Sequence, residues 1–243
     1  MARTTPTPSE TTSLFHTIEH DFPSSSLGPN KWYILLLAAL TAGGHPGKAA
    51  DLYTYLISSR PEFEKSEQRQ NLMKRLRETL VKLVPIVGVV KPLEAVFCIA
   101  EIERPEDRDG SFSRENWSSG PLNSQRGSAW LAQIYQHNHA ATESVLSHHK
   151  DFEWISREIT YGLFLSDHTI LGPVETEIVV LAGIAMQNLP RETGWHLRGM
   201  RRIGVAIEDV ELVQRCVERV AEYCGLVLDR IPRVADVEHE VAF

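Results

Sequence analysis

The chain has 243 residues, of which 42% are hydrophobic and 23% charged, and its formal net charge at pH 7 is −7. This composition is ordinary for a globular protein with a sizeable core. The negative charge argues against a general nucleic-acid-binding or anionic-membrane-binding surface, because both need a basic face, although a local basic patch stays open. The apolar run Trp32–Leu40 is far shorter than the roughly 20 residues that span a bilayer.

The cysteine pattern indicates a reducing compartment. Cys98, Cys216 and Cys224 are an odd number and contain no CxxC pair, which is typical of free thiols. The N-terminus lacks a basic stretch followed by an apolar one, and Val241–Phe243 is not a peroxisomal or ER-retention signal. We therefore expect a cytoplasmic protein.

The first element in chain order is a polar N-terminal segment, residues 1–30. Its first 13 residues are rich in Thr, Pro and Ser and are predicted to be disordered. A short helix is predicted over Leu14–Phe22, and Asn30 is a candidate N-cap for the helix that follows.

Helical periodicity then runs through two halves of the chain. The spacing of apolar residues and of Pro and Gly breakers predicts helices over 31–42, 48–58, 66–84, 92–102, 127–149, 152–165 and 208–226. Residues 103–126 form a polar connection of the length that usually serves as a lid, an interface arm or a disordered link. No alternating run demands a strand, so we predict an all-α fold with helical units at 31–102 and 127–243.

A helical hairpin over Gly172–Gly204 is the most informative stretch. Its first helix is predicted to begin at Pro173 and is apolar without interruption over Ile178–Met186, which is typical of a helix buried on nearly all sides. A second helix begins near Pro190 and carries Glu192 and His196, which share a face because they are four residues apart.

The hairpin has a weak counterpart 144 residues earlier. Leu37-Ala38 aligns with Leu181-Ala182, and Pro46 aligns with Pro190. Both copies read as a buried apolar helix, a breaker with proline and a second helix, which indicates two degenerate hairpin repeats. The first copy has Lys48 and Leu52 where the second has Glu192 and His196, so only the second keeps these polar groups.

Several features of the hairpin resemble the carboxymuconolactone decarboxylase family of the alkylhydroperoxidase-D-like superfamily. The matching stretches are Leu171–Pro173, Glu177, Val179–Ala185, Trp195–Gly199, Ile203–Val205 and the helix from Glu208. The resemblance is good over Leu171–Leu228, fainter over Trp32–Ala100, and absent from the N-terminus and the 103–126 loop.

The resemblance implies a helical fold of paired repeats that assembles as a homo-oligomer, often a trimer or hexamer. It also implies one of two chemistries. The thiol peroxidase branch needs a CxxC whose cysteines lie 12 and 15 residues after the glutamate, with a histidine at 19; here Glu177 and His196 have that spacing, but Leu189 and Glu192 stand at the cysteine positions. The sequence therefore resembles the decarboxylase branch, which works without a cofactor.

His196 is the first candidate for the chemistry, because an imidazole can give and take a proton near neutral pH. Its alternative is a satisfied core histidine. Glu177 could orient His196 or act as a partner acid, and Glu192 could pair with it, although a glutamate early in a helix is also favoured by the helix dipole. Along the helix axes Glu177 lies about 17 Å before the turn and His196 about 11 Å after it, so the two meet only if the helices cross or a water bridges them.

Four further residues are candidates for holding a small-molecule substrate. Arg198 could bind a carboxylate, although it also suits the C-terminal end of a helix. Trp195, Tyr135 and His45 could line a pocket, with core or interface packing as the alternative for Trp195. No metal site is predicted, because the histidines lack acidic partners at ligand spacing.

These observations predict a cofactor-independent enzyme that decarboxylates, isomerises or cyclises a small organic acid or polyketide-like metabolite. The alternatives are a catalytically inactive oligomeric binding or scaffold protein and, within the same superfamily, a thiol peroxidase. A cavity that contains His196 and a carboxylate favours the enzyme, whereas a solid apolar core favours the scaffold.

Overall fold

A computed structural model describes residues 6–241 of the chain, and this part is all-α, as predicted. The α-helices are α1 (Pro8–Asp21), α2 (Ser24–Leu27), α3 (Trp32–Ala42), α4 (Lys48–Ser59), α5 (Ser66–Val87), α6 (Val90–Ile102), α7 (Pro121–Tyr135), α8 (His139–Leu146), α9 (Lys150–Trp154), α10 (Pro173–Ala185), α11 (Pro190–Arg202), α12 (Ile207–Tyr223) and α13 (Val234–Val237). A π-helix over Ile155–Leu165 continues α9, and short 3₁₀ turns occupy Pro61–Phe63, Pro105–Asp107, Gln136–Asn138 and Glu238–Glu240. Within residues 6–241, none of the helices combines the length and apolarity that a membrane crossing requires.

Helices α3 and α10 form the centre of the core. All eleven residues of α3 are buried, and so is α10 from Glu175 to Ala185. The two helices pack against each other and both contact α5. At Gly183 an added Cβ would lie 2.6 Å from Leu83 Cδ1, so the α5–α10 crossing requires a residue without a side chain there. Each large aliphatic side chain buried in this layer contributes about 1.5–3 kcal/mol to folding.

Each of these two central helices is the first helix of a hairpin, α3 with α4 and α10 with α11, and the two hairpins share a turn residue with positive φ. Gly44 and Asn188, which are 144 residues apart, both have positive φ angles, of 89° and 55°. The Gly44 N–H donates to Thr41 O, and the Asn188 N–H donates to Ala185 O, which is the equivalent bond. Asn188 tolerates this conformation because its side-chain amide bonds Asp229 and the Arg230 N–H. The hairpin geometry therefore recurs at the interval that the sequence indicated.

The N-terminal segment is more ordered than predicted. Helix α1 begins at Pro8 rather than at Leu14, and residues 1–5 lie outside the described part of the chain. The Thr7 hydroxyl accepts the Glu10 N–H, and the Glu10 carboxylate accepts the Thr7 N–H at 2.7 Å, which is a capping box with proline in the first turn. Asn30 does not cap α3; the N-cap position is Lys31, without a side-chain bond to the helix.

The polar connection is also more structured than a free loop. Helix α7 begins at Pro121, so the connection covers residues 103–120. Three arginine–carboxylate pairs fasten it to α5: Arg69–Asp107 at 2.6 Å, Arg77–Asp109 at 2.5 Å and Arg114–Glu78 at 2.6 Å. These bidentate or buried pairs hold the connection along α5.

The predicted helix over 127–149 is interrupted, and the next helix is wound differently. Gln136 has a φ of 44°, which ends α7 and separates it from α8. The π-helix packs closely on α7, where a Cβ at Gly127 would overlap the Arg157 carbonyl. Its last carbonyls accept bonds from the side chains of Lys82 and Arg114, which satisfy the end of the helix.

Candidate functional site

The second hairpin brings His196 and Glu177 into direct contact. His196 Nδ1 lies 2.8 Å from Glu177 Oε2, and the two residues are 3% and 0% exposed. Because a carboxylate oxygen accepts, Nδ1 donates, and this leaves Nε2 as the nitrogen available for chemistry. The predicted alternatives were a crossing of the two helices and a bridging water. Helices α10 and α11 pack against each other, and this packing brings the two side chains into direct contact.

The Glu177 carboxylate is satisfied on one side only. Its Oε1 is buried and has no hydrogen-bond partner in the described part of the chain. A Cβ on Gly199 would lie 2.8 Å from Oε2, so the absence of a side chain at Gly199 makes room for the carboxylate against α11.

Two buried tyrosines adjoin the pair. The Tyr135 ring is 6.2 Å from the His196 ring in an edge-to-face arrangement, and its hydroxyl lies 3.0 Å from the hydroxyl of Tyr161. Burial raises the pKa of Tyr135 to about 12, and burial together with Tyr135 raises the pKa of Tyr161 well above its ordinary value of 10. Both phenols are therefore protonated at neutral pH, and either of them can be the donor in the hydrogen bond that joins them.

Tyr161 was not among the predicted site residues. It lies on the π-helix, and the usual 3.6-residue period does not show which face of such a helix points inward. The sequence did contain one signal, because Tyr161 begins the short apolar run Tyr161–Leu165 and its hydroxyl therefore needs a buried partner.

A cavity of about 240 Å³ lies on the other side of Tyr135 and Trp195. The apolar part of its wall consists of Leu131, Tyr135, Leu146, Phe152 and Trp195, and its polar part includes His139, Glu143, Glu153 and Arg157. The rings of Tyr135 and Trp195 are 5.6 Å apart. His196 is not part of the cavity wall, whereas Tyr135 lines the cavity and its ring is 6.2 Å from the His196 ring.

The other predicted site residues are dispersed. Glu192 is half-buried in the first turn of α11, and its charge acts on Tyr135, but in residues 6–241 no hydrogen bond joins it to His196. Arg198 is buried and pairs with Glu240 at 3.0 Å, which directs it towards the C-terminal segment rather than into the cavity. His45 packs near Tyr223, 5.9 Å between ring centres, and is absent from the cavity wall.

The thiols and the candidate metal ligands do not contribute to this site. Cys216 and Cys224 are buried in the core, and burial raises the pKa of Cys216 to about 12. The pKa of Cys98, on α6, is also raised, first by burial and then by Glu94. Among residues 6–241, no group of three His, Cys, Asp or Glu side chains is arranged to hold a metal ion.

Comparisons with known proteins give one distant relative. The chain is similar to Peroxisomal protein 2 of Schizosaccharomyces pombe (strain 972 / ATCC 24843), with 23% identity over 202 residues that cover 82% of this chain and 90% of the relative. No protein-family model matches the chain, and no solved structure matches it. The similarity extends over most of both chains, so it involves the helical body as a whole rather than the hairpin alone.

Proposed function

We propose that the protein is a cofactor-independent enzyme of the carboxymuconolactone decarboxylase-like type. It would decarboxylate a small organic molecule or move a proton within it during isomerisation or cyclisation. The observation that carries the proposal is the buried His196–Glu177 pair, 2.8 Å apart, with one carboxylate oxygen left without a partner beside two protonated tyrosines and a cavity.

The geometry favours His196 Nε2 as the proton donor and acceptor. Glu177 holds Nδ1 and so fixes the tautomer and the orientation of the ring. No group within residues 6–241 hydrogen-bonds to Nε2. Loss of CO2, or removal of a proton beside a carbonyl, places negative charge on an enolate-like oxygen, which a protonated phenol such as Tyr135 would stabilise before the proton returns to carbon.

Access to Nε2 requires a side chain to move. Tyr135, which is buried, lines the cavity and has its ring 6.2 Å from the imidazole, and Trp195, which is half-buried, lines the cavity beside it. A change of the Trp195 rotamer is the smaller step, because its ring is partly exposed and surface side chains change rotamer in nanoseconds. A substrate in the cavity would then contact Nε2 directly.

The test uses a panel of β-keto acids, lactone acids and uncharged 1,3-diketones incubated with the full-length protein in D2O. Release of CO2 reports decarboxylation, and deuterium incorporation measured by mass spectrometry reports proton transfer at carbon. We expect His196→Gln to lower the rate at least about 100-fold, the size of a general acid–base contribution. His20→Gln, at a histidine whose side chain is 88% exposed, is the matched control and should keep the full rate. Equal rates in the wild type and His196→Gln, or no turnover of any panel member, would refute the proposal.

The second candidate is an inactive binding or scaffold protein. It is favoured by the 3% exposure of His196 and by its absence from the cavity wall. This alternative predicts that His196→Gln changes stability but no turnover. A thiol peroxidase has less support, because burial raises the pKa of Cys216 and no thiol of the described residues lines the cavity. Hydroperoxide consumption that is lost in Cys98→Ser would revive it.

We also propose that the chain forms a homo-oligomer, a trimer or a hexamer. Helix α6 presents Val90, Leu93 and Phe97, which are 76%, 45% and 55% exposed and lie on one face at i, i+3 and i+7. An exposed apolar stripe of this kind is typical of a protein–protein interface. Light scattering coupled to size exclusion should give a multiple of 27.4 kDa that Phe97→Glu reduces; a monomeric wild type would contradict the proposal.

We propose that the protein is cytoplasmic, with a peroxisomal location as the alternative. The cysteine pattern favours the cytoplasm, whereas the similar fission-yeast protein carries the name Peroxisomal protein 2. Fluorescent fusions at either end of the chain, imaged with a peroxisomal marker, distinguish the two. Diffuse fluorescence from both fusions supports the cytoplasm, and punctate co-localisation of either one refutes it.

A further inference from the structure

The cavity beside Tyr135 and Trp195 has features of a binding site in its own right. Its volume is about 240 Å³, and α7, α8, α9, the π-helix and α11 all contribute to its wall. Two aromatic rings, Tyr135 and Trp195, meet at 65° on one side, and Phe152, which is 67% exposed, stands on another. Pockets for small molecules are mostly apolar, with a few polar groups that fix orientation, and this cavity has that composition.

The charged groups of the wall are acidic on balance. Arg157 donates to Glu153 at 2.9 Å and to Glu143 at 3.2 Å, so its guanidinium is already shared between two carboxylates. His139 Nε2 lies 3.4 Å from the same Glu143 oxygen that Arg157 contacts. Apart from His139, the wall holds two carboxylates and one guanidinium, so its formal charge is negative.

We propose that this cavity binds an uncharged ring molecule, of about the size of two fused rings, and discriminates against carboxylates. A carboxylate would lose its hydration among Leu131, Leu146 and the aromatic rings and would face Glu143 and Glu153, which already hold the Arg157 guanidinium. An uncharged ring with a hydroxyl or carbonyl group loses little hydration free energy on binding, and it gains edge-to-face and offset contacts with the aromatic side chains of the wall. Binding of such a molecule requires only the cavity and does not depend on the proposed catalytic activity.

As a statement about the substrate, the inference rests on the proposed function and narrows it. Arg198, the predicted carboxylate-binding residue, is paired with Glu240 and does not line the cavity. A substrate without a carboxylate has no CO2 to lose. The reaction that fits this cavity is therefore a proton-transfer isomerisation or cyclisation, in which His196 takes a proton from carbon and returns it elsewhere on the same molecule, with no change in oxidation state.

The test compares two probes of the same shape and different charge, 2-naphthol and 2-naphthoate, by isothermal titration calorimetry on the full-length protein. We expect the Kd of 2-naphthol to be at least about tenfold lower than that of 2-naphthoate at pH 7.5, because only the anion loses the hydration of a charge and faces two carboxylates. The double variant Glu143→Gln with Glu153→Gln should bring the two Kd values to within about threefold by removing the repulsion.

Two variants locate the binding. Leu146 is half-buried in the cavity wall, so Leu146→Trp should fill the space and weaken 2-naphthol binding at least about tenfold. Phe112→Ala removes an exposed aromatic ring of the 103–120 connection, outside the cavity, and should leave the Kd unchanged. The inference is overturned if 2-naphthoate binds as tightly as 2-naphthol, if Leu146→Trp has no effect, or if 2-naphthol does not bind.

Failure of this inference and failure of the proposed function give different results. Binding of 2-naphthol without turnover of any panel member would refute the enzyme and leave the binding site. Release of CO2 from a keto acid by a protein that does not bind 2-naphthol would leave the enzyme and refute the uncharged ligand.

Discussion

His168 should make the stability of the fold fall steeply in mild acid. It follows the π-helix that carries Tyr161, and its ring packs edge-on against Trp130, 4.5 Å between centres. Its Nε2 is buried and, within residues 6–241, has no hydrogen-bond partner. Burial first, and then the positive charge of Lys82, lower the pKa of His168 to about 4 from its ordinary 6.5, while Asp167 acts in the opposite direction.

The sign and the size of the effect follow from this pKa. The folded state keeps His168 neutral, whereas the unfolded chain takes up the proton below about pH 6.5, so acid favours unfolding. The stabilisation is complete above pH 6.5 and is lost as the pH falls from 6.5 to 4. A difference of about 2.5 between the two pKa values, at about 1.36 kcal/mol for each pKa unit, gives an upper bound of about 3.4 kcal/mol, and partial exposure of the ring reduces it to about 2 kcal/mol.

Urea unfolding of the wild type and of His168→Phe between pH 4 and pH 7.5 tests this prediction. Phenylalanine keeps the edge contact with Trp130 and cannot take up a proton. We expect the free energy of unfolding of the wild type, relative to the variant, to drop by about 2 kcal/mol between pH 6.5 and pH 4. Carboxylates that titrate in both proteins cancel in this difference. His20→Gln, at an exposed histidine, should parallel the wild type. A constant difference, or one that grows in acid, would show that His168 is not held neutral by its surroundings.

Three further changes test the packing around the site by the same urea titration. Lys82→Met should lower the free energy of unfolding by about 3 kcal/mol, because Lys82 is fully buried and donates to three carbonyls. Its control, Lys74→Met at a partly exposed lysine, should lower it by less than about 0.5 kcal/mol. Gly199→Ala should cost about 1–3 kcal/mol and lower turnover, because its methyl group displaces the Glu177 carboxylate; unchanged stability would show that the crossing has free space. The double variant Glu177→Leu with His196→Leu should keep the free energy of unfolding within about 1 kcal/mol of the wild type. His196→Leu alone should lower it by about 3 kcal/mol, because it leaves the Glu177 carboxylate buried without its partner. Equal losses in the two variants would show that the fold itself requires the pair.

The two helices of the second hairpin could be predicted from the sequence, because the residues that begin and bury them lie within the hairpin itself. Pro173 and Pro190 begin their helices as predicted, and the apolar run of α10 is buried. The N-terminal helix was underestimated because the composition of residues 1–13 outweighed a capping box, Thr7 to Glu10, that was readable in the sequence. Local chemistry was the better guide there, since a capping box supplies the bonds that a polar segment otherwise finds in water.

The site could be predicted only where a single hairpin builds it. The spacing of 19 residues between Glu177 and His196 identified the pair, although axial distances left direct contact undecided. Arg198 was different, because its partner Glu240 comes from a segment that returns to the hairpin late in the chain, and no local pattern announces such a pairing. The same holds for Tyr161, whose orientation depends on a π-helix. Long-range partners and unusual helical winding are therefore what the sequence did not contain in readable form.

The first hairpin shows what the second would be without its polar pair. At the interval of 144 residues, Tyr33 stands in place of Glu177 and Leu52 in place of His196, and both are buried, at 1% and 0% exposure. A hairpin of this kind is therefore stable with no imidazole and no carboxylate at these positions. Since burying an ionisable pair usually stabilises a fold no more than apolar residues of similar volume do, packing alone does not account for the pair in the second copy. Under the proposed function, proton transfer is the reason for the pair, because an imidazole fixed by a carboxylate in a dry site is what a general acid and base requires.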